Sequence, residues 1–97
     1  MDQSKKRIKI VDLGCGTGSL TKKLLSLSSE IYGCDISSKC IETANKLYPN
    51  INFSVQDIEN LSFDDNFFDV VIFSGVLHHF EDFHKPLMEA KRILKKG

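Results

Sequence analysis

Three glycines and a carboxylate near the N-terminus form the part of the sequence with the clearest chemical character. Gly14, Gly16 and Gly18 alternate with small residues, and Asp12 stands two residues before the first glycine. Glycines between a strand and a helix permit a tight turn and a close approach of a ligand to the backbone. The first N–H groups of a following helix attract anions. A carboxylate at this point is unsuited to a pyrophosphate, so the segment favours a ligand with positive charge.

A nicotinamide-dependent oxidoreductase is the main enzymatic alternative for such a loop. Dinucleotide sites have the pattern G-x-G-x-x-G, whose third glycine would fall on Ser19 in this chain. An acidic residue at the end of the second predicted strand, here Asp35, occurs in those enzymes as well. The G-x-G-x-G spacing and the carboxylate of Asp12 argue against this alternative.

The elements that position these residues alternate between strands and helices. Apolar runs and period-2 alternation predict strands, and apolar residues every three to four positions predict helices. The predicted strands are residues 7–13, 30–35, 51–55 and 67–73, and the predicted helices are residues 17–27, 37–48 and 83–94. This order predicts a parallel sheet with right-handed crossovers, and hence a three-layer, Rossmann-like α/β fold.

The apolar patterns of these elements also predict which side chains are buried. The predicted apolar faces are Leu20, Leu24 and Leu27 in the first helix and Phe83, Leu87, Ala90 and Leu94 in the last, which tolerates Pro86 in its first turn. Residues 67–73 are nearly all apolar, which predicts a strand covered on both faces. If no further strand pairs with it, this strand forms an open edge that a partner, such as a second copy of the chain, can use.

The composition excludes several classes of protein. The 97 residues contain 13 Lys and Arg and 13 Asp and Glu, and this zero net charge argues against an electrostatically driven nucleic-acid binder. Short basic clusters at the two ends fit solvated ends better than a polyanion site. No apolar run approaches the roughly 18 to 20 residues of a membrane span, and no secretory signal is recognisable. Three cysteines without a C-x-x-C motif fit reduced thiols in a cytoplasmic protein.

Several segments in order resemble the class I S-adenosylmethionine-dependent methyltransferases. The glycine motif is Asp12-Leu13-Gly14-Cys15-Gly16-Thr17-Gly18, and the matching segments continue through Asp35, Gln56-Asp57-Ile58, Phe68-Asp69-Val70-Val71, Ser74-Gly75-Val76-Leu77-His78-His79 and Arg92-Ile93-Leu94-Lys95-Lys96-Gly97. The resemblance implies one methyltransferase domain over residues 1–97 with strand order 3-2-1-4. It also implies that the domain is incomplete at its C-terminus, because the family's sheet usually has seven strands.

The resemblance also implies a set of cofactor-binding residues. They are Asp12, Gly14, Cys15, Gly16, Thr17, Gly18, Asp35, Ile36, Asp57, Ile58 and Ser74. Asp35 would accept hydrogen bonds from the ribose hydroxyls, and Asp57 from the adenine amino group, with the backbone of Ile58 at the ring edge. Asp12 would act near the methionine ammonium, and Ser74 would face the methionyl part. Two alternatives stay open, a strand-ending turn for Asp35 and a cap for Asp57.

Three further side chains allow more than one interpretation. His78 and His79 are candidates for a general base on the acceptor, or they pack around the cofactor. A metal site is not expected, because no nearby residues complete a ligand set. Cys15 could be a nucleophile, but no basic partner is evident in the sequence, and a small side chain suits such a turn.

The resemblance implies transfer of the sulfonium methyl group of S-adenosylmethionine to an acceptor by direct displacement. The short loop after the third predicted strand and the segment SGVLHHF, residues 74–80, favour a small-molecule acceptor over protein, RNA or DNA. A module that retains the fold and cofactor binding without turnover is the remaining alternative.

Overall fold

Four parallel strands form the centre of the protein. The computed structural model describes residues 6–75 and 82–96. The strands are β1 (Lys6–Leu13), β2 (Ser28–Asp35), β3 (Asn52–Val55) and β4 (Val70–Phe73), and the helices are a 3₁₀ helix (Thr21–Ser26), α1 (Ser38–Leu47) and α2 (His84–Ile93). The strands pair in the order β3-β2-β1-β4, which confirms the predicted order 3-2-1-4.

The register of the sheet brings the carboxyl ends of the strands together. Leu13 at the end of β1 pairs with Cys34 on β2 and with Phe73 on β4. Asp35 at the end of β2 pairs with Val55 on β3. The loops that follow all four strands therefore begin at one edge of the sheet, where parallel α/β sheets bind ligands.

One face of the sheet is covered by α2 and by the connection between β3 and β4. Phe68 is fully buried there and packs edge-to-face against Tyr32, Phe63 and Phe67, with ring centroids 4.8 to 5.2 Å apart. Aromatic pairs prefer this geometry because the positive ring edge meets the negative ring face. The aromatic cluster closes the core on this side of the sheet.

The opposite face is covered by α1 and the 3₁₀ helix. Ile10, Ile31 and Ile51 are buried between the sheet and these helices. Ser37 caps the start of α1, because its hydroxyl accepts a hydrogen bond of 3.2 Å from the amide of Cys40. Such a cap satisfies one of the free N–H groups of the first helical turn.

The first predicted helix, residues 17–27, is wrong in both extent and type. The chain forms turns before it enters a six-residue 3₁₀ helix, Thr21–Ser26. Gly16 and Gly18 have φ angles of +58° and +88°, which a right-handed helix does not allow. Of the predicted apolar face only Leu24 packs against the sheet, whereas the other two leucines are more than half exposed.

The last strand is shorter than predicted, and its two faces are only partly covered, by contacts of Val71 and Phe73 with one core cluster and of Ile72 with the other. Only Val70–Phe73 are extended, and all four residues are partly or largely exposed. The buried ring of this run, Phe68, instead packs beside α2, where its amide donates to the Ile93 carbonyl over 2.8 Å. A groove of about 400 Å³ lies beside β4, lined in part by residues of the 3₁₀ helix. Within the described ranges β4 pairs only with β1.

The buried face of α2 also differs from the predicted one. Pro86, Ala90 and Ile93 are buried, whereas Leu87 is 50% exposed. Steps of three to four residues from Ala90 lead either to Leu87 and Leu94, which the prediction chose, or to Pro86 and Ile93. The structure buries the second pair, and Ile93 packs in the same core cluster as Phe68. No helix in residues 6–75 and 82–96 is long and apolar enough to cross a membrane.

Candidate functional site

A cavity of about 590 Å³ opens at the carboxyl ends of the strands. Its lining consists of Gly14, Cys15, Gly16, Ser19, Leu20, Asp35, Ile36, Gln56, Asp57, Ile58, Ser74 and Gly75. Eight of these twelve residues belong to the cofactor-binding set predicted from the sequence. The other four are Ser19, Gln56 and Gly75, which directly adjoin predicted residues, and Leu20, which lies two positions after Gly18. This closeness in sequence is the signal that would have found them.

The glycines of the loop serve two different purposes. All three have positive φ angles, but an added Cβ on Gly16 would meet no atom within 4 Å. The same addition on Gly18 would lie 2.7 Å from Cζ of Phe53 and 3.1 Å from the ring of Tyr48. Gly16 therefore leaves open space beside the cavity, whereas Gly18 permits close packing of two rings. Gly18 and Thr17 are not among the residues that line the cavity.

Asp35 lies at the end of β2 and lines the cavity. Its Oδ2 accepts a hydrogen bond of 2.9 Å from the amide of Gly16, and its Oδ1 accepts one of 2.9 Å from the amide of Ser37. A carboxylate has about four lone-pair positions, so each oxygen retains capacity for a further donor. Asp35 thus forms a turn with Ser37, two residues further along the chain, and also presents acceptors to the cavity.

Asp12 is buried and does not line the cavity. Both of its oxygens accept hydrogen bonds from hydroxyl groups, Oδ2 from Thr21 over 2.7 Å and Oδ1 from Ser74. Burial raises the pKa of this carboxyl above its ordinary value, while the two hydroxyl donors oppose the rise. The carboxylate therefore lies one side chain behind the cavity, with Ser74 in between.

Asp57 and Ile58 follow β3 and contribute the opposite side of the cavity. Asp57 is exposed, and its Oδ1 accepts a hydrogen bond of 2.9 Å from the amide of Glu59. The capping geometry considered from the sequence is thus present, and Asp57 also lines the cavity. Ile58 is buried at its side, so this part of the cavity combines a polar and an apolar group.

The structure argues against a nucleophilic Cys15. Burial raises the pKa of its thiol to about 12, and the pKa of the neighbouring Cys34 also rises to about 12 for the same reason. The thiolate is the reactive form, and a thiol with such a pKa is neutral near pH 7. This supports the packing interpretation of Cys15.

The two candidate histidines, His78 and His79, lie outside the described residues, so the structure does not test a role for either one. In residues 6–75 and 82–96 there is no group of three or more His, Cys, Asp or Glu side chains that could hold a metal ion.

Comparison of the sequence with known proteins finds related chains over nearly its whole length. A family model described as "Methyltransferase domain" matches residues 11–97. The chain is 36% identical over 90 residues to a demethylmenaquinone methyltransferase from Chlorobaculum tepidum, covering 92% of this chain and 37% of that protein. It is 35% identical over 102 residues to a ubiquinone biosynthesis O-methyltransferase from Pelagibacter ubique, covering 99% of this chain and 41% of that protein. The chain therefore spans about two fifths of the length of these relatives.

Solved structures share the fold. The YcgJ protein from Bacillus subtilis superposes with a TM-score of 0.88 at 26% identity, covering 97% of this chain and 42% of that chain. An S-adenosylmethionine-dependent methyltransferase from Mesorhizobium loti gives a TM-score of 0.83 at 27% identity, covering 100% and 46% respectively. The sheet order and the helices described above are thus part of a larger known architecture.

Proposed function

The chain belongs to the methyltransferase-domain family, and on that basis we propose that it binds S-adenosylmethionine in the cavity at the carboxyl ends of the strands and transfers a methyl group to a small-molecule acceptor. The observation that carries this proposal is the convergence of Gly16 and Asp35. The two residues join through a hydrogen bond at the wall of one cavity. Residues 1–97 form the cofactor-binding portion of the domain in this proposal.

The residues of the cavity fit the chemical groups of S-adenosylmethionine. Asp35 accepts hydrogen bonds from the ribose hydroxyls with its remaining lone pairs. Asp57 accepts from the adenine amino group, and Ile58 provides apolar surface for the ring. Gly16 allows the ligand to approach the backbone because no side chain fills the space beside it.

The bound sulfonium supplies an activated methyl group, so the protein mainly has to hold donor and acceptor in alignment. Such alignment is worth up to about 7 to 11 kcal/mol in well-oriented intramolecular reactions. No protein nucleophile is required, which agrees with the neutral thiol of Cys15. His78 and His79 remain candidates for a base on the acceptor.

For the acceptor, we propose a small organic molecule, with quinone precursors as the first class to test. The support is the names of two relatives, which act on demethylmenaquinone and in ubiquinone biosynthesis. The balanced charge of the chain gives no reason to expect a nucleic acid. A module that binds the cofactor without turnover is the second candidate, because the described residues include candidate cofactor-binding residues but no identified catalytic base.

Two further proposals concern the setting of the protein. The three cysteines are all free thiols, which supports a reducing, cytoplasmic location. The outer edge of β4 is open within the part of the chain that the structure describes, which supports pairing with a second copy to form a homodimer. Chromatography coupled to light scattering tests the dimer, because a monomeric mass at all concentrations contradicts it.

Calorimetric titration tests the proposed cofactor directly. The purified chain is titrated with S-adenosylmethionine and with S-adenosylhomocysteine, and NAD is the matched control. We expect both sulfur compounds to bind and NAD not to bind, with a rise in thermal stability that follows RT ln(1 + [L]/Kd). Binding of NAD alone would favour the oxidoreductase alternative. Absence of any binding in a folded sample would contradict the proposal.

Turnover is tested separately with a radiolabelled methyl donor and a demethylated quinone. Labelled product together with cofactor binding supports the enzyme. Binding of the cofactor without transfer to this or any other acceptor of a screened set supports the non-catalytic module.

A further inference from the structure

A buried carboxylate with two hydroxyl partners lies directly behind the candidate site. Asp12 is 1% exposed, and burial of a carboxylate is costly unless hydrogen bonds compensate for the lost water. Its compensation comes from Thr21 and Ser74, which are 9 and 62 residues away in sequence. The three side chains form one continuous polar group between the 3₁₀ helix and the cavity.

Thr21 is the member of this group to which neither the sequence motifs nor the relatives assign a role. It is fully buried at the first position of the 3₁₀ helix, and its Oγ1 donates to Oδ2 of Asp12 over 2.7 Å. It does not line the cavity. The hydroxyl of Thr21 is therefore connected to the cavity through Asp12, to which it donates.

Ser74 is the member that meets the cavity. Its single hydroxyl proton has two acceptors within reach, Oδ1 of Asp12 and the carbonyl oxygen of Gly14 at 3.2 Å. Oδ1 of Asp12 is the nearer of the two acceptors, so the proton points towards Asp12 and away from the cavity. The lone pairs of the Ser74 oxygen then remain available to a donor in the cavity.

We infer that Thr21 is a positioning residue: through Asp12 it fixes the hydroxyl of Ser74 as a hydrogen-bond acceptor for a cationic group of the bound ligand. The inference rests on the proposed function for the identity of that ligand. The titratable groups that interact electrostatically with Asp12 are Asp35 on the same edge of the sheet and the thiols of Cys15 and Cys34. Both thiols are neutral near pH 7, so the negative charge next to Asp12 comes from the carboxylate of Asp35, which suits a ligand that carries positive charge.

The first test compares two ligands on the variants Thr21→Val and Thr21→Ser. S-Adenosylhomocysteine carries an ammonium group, whereas adenosine has the same nucleoside without it. Valine keeps the shape of threonine but removes the donor, so we expect about tenfold weaker binding of S-adenosylhomocysteine, the effect of one lost charge-assisted hydrogen bond. Binding of adenosine should change less than twofold, and Thr21→Ser should bind both ligands as the unaltered protein does.

Each other outcome of this comparison has a definite meaning. An equal loss for both ligands, or no loss for either, overturns the inference. If the unaltered protein binds neither ligand, the proposed function itself fails. If Thr21→Val does not fold, Ser74→Ala provides the same ligand comparison, and it should lose affinity for S-adenosylhomocysteine alone.

A second test needs no ligand. The ¹³C chemical shift of the Asp12 carboxyl, followed over pH, reports its pKa in each variant. The Thr21 hydrogen bond favours the ionised form, so Thr21→Val should raise the pKa of Asp12 and Thr21→Ser should not. An unchanged pKa of Asp12 in Thr21→Val would show that Thr21 does not donate to the ionised carboxylate, and that result overturns the inference even if S-adenosylmethionine is not the ligand.

Discussion

The amide of Gly16 donates a hydrogen bond of 2.9 Å to Oδ2 of Asp35, 19 residues further along the chain. The glycine loop after β1 and the carboxylate at the end of β2 are therefore one unit. Because the other carboxylate oxygen accepts from the amide of Ser37, Asp35 also anchors the start of α1. A change at this side chain should affect both the ligand and the loop that receives it.

Substitution of Asp35 by alanine should weaken the binding of S-adenosylmethionine by roughly 1 to 3 kcal/mol, because charge-assisted acceptors for the ribose are lost. Calorimetric titration measures the change. Asp64→Ala, at an exposed carboxylate that does not line the cavity, is the matched control and should bind normally. An unchanged dissociation constant for Asp35→Ala would remove Asp35 from the site.

Substitution of Gly16 by valine should abolish cofactor binding and leave the protein folded. An added Cβ meets nothing within 4 Å in the protein itself, so the branched side chain enters space that the ligand requires. The positive φ of Gly16 adds strain of roughly 1 to 2 kcal/mol. Circular dichroism checks the fold and calorimetry checks binding, and a folded variant that binds normally would show that the ligand does not approach this glycine.

Substitution of Gly33 by alanine should destabilise the protein by roughly 1 to 3 kcal/mol through overpacking. The new Cβ would lie 2.8 Å from Cδ1 and Cε1 of the Phe53 ring. Phe53→Leu shortens the conflicting side chain, so the double variant should be more stable than the sum of the single effects indicates. Denaturant unfolding of the unaltered protein, the two single variants and the double variant completes the thermodynamic cycle. Strictly additive changes in unfolding free energy would contradict the close contact.

Substitution of Arg92 by methionine should loosen the connection between β3 and β4. The Arg92 guanidinium donates to the carbonyl oxygens of Leu61 and Phe63 over 2.9 and 2.8 Å and pairs with Glu89. Loss of these donors leaves acceptors unsatisfied and should cost about 1 to 3 kcal/mol of unfolding free energy. Urea unfolding near pH 7 measures it, with Lys91→Met on the exposed side of α2 as the control.

The same ion pair predicts a dependence on pH. The hydrogen bond from Arg92 lowers the pKa of Glu89 below its ordinary value of 4.5. A carboxyl whose pKa is lowered on folding stabilises the folded state above its unfolded pKa. That stabilisation is complete above about pH 5 to 6 and is lost as the pH falls through the folded-state pKa of Glu89. Arg92→Met should lose less stability over this acidic range than the unaltered protein does.

Period-2 alternation and apolar runs were sufficient to predict the four strands and a parallel sheet, because each strand carries its own pattern, whereas the strand order came from the resemblance to the methyltransferase family. The first helix was mispredicted because the leucine spacing after the glycine loop is helical, whereas the positive φ angles at Gly16 and Gly18 delay the helix. The place of Asp12 behind the cavity could not be predicted from the sequence. It depends on Ser74, which only the folded sheet brings next to Asp12.

The two kinds of glycine in the loop have a consequence for how relatives of this protein diverge. Beside Gly16 the protein leaves open space that the proposed ligand would use, so within the protein only the positive φ angle opposes a side chain there, whereas Gly18 also faces the rings of Phe53 and Tyr48. A descendant that abandoned its cofactor but kept its fold would therefore tolerate residues such as asparagine at Gly16 more readily than at Gly18. The ratio of substitutions at these two positions would therefore separate lineages that still bind the cofactor from those that only preserve the scaffold.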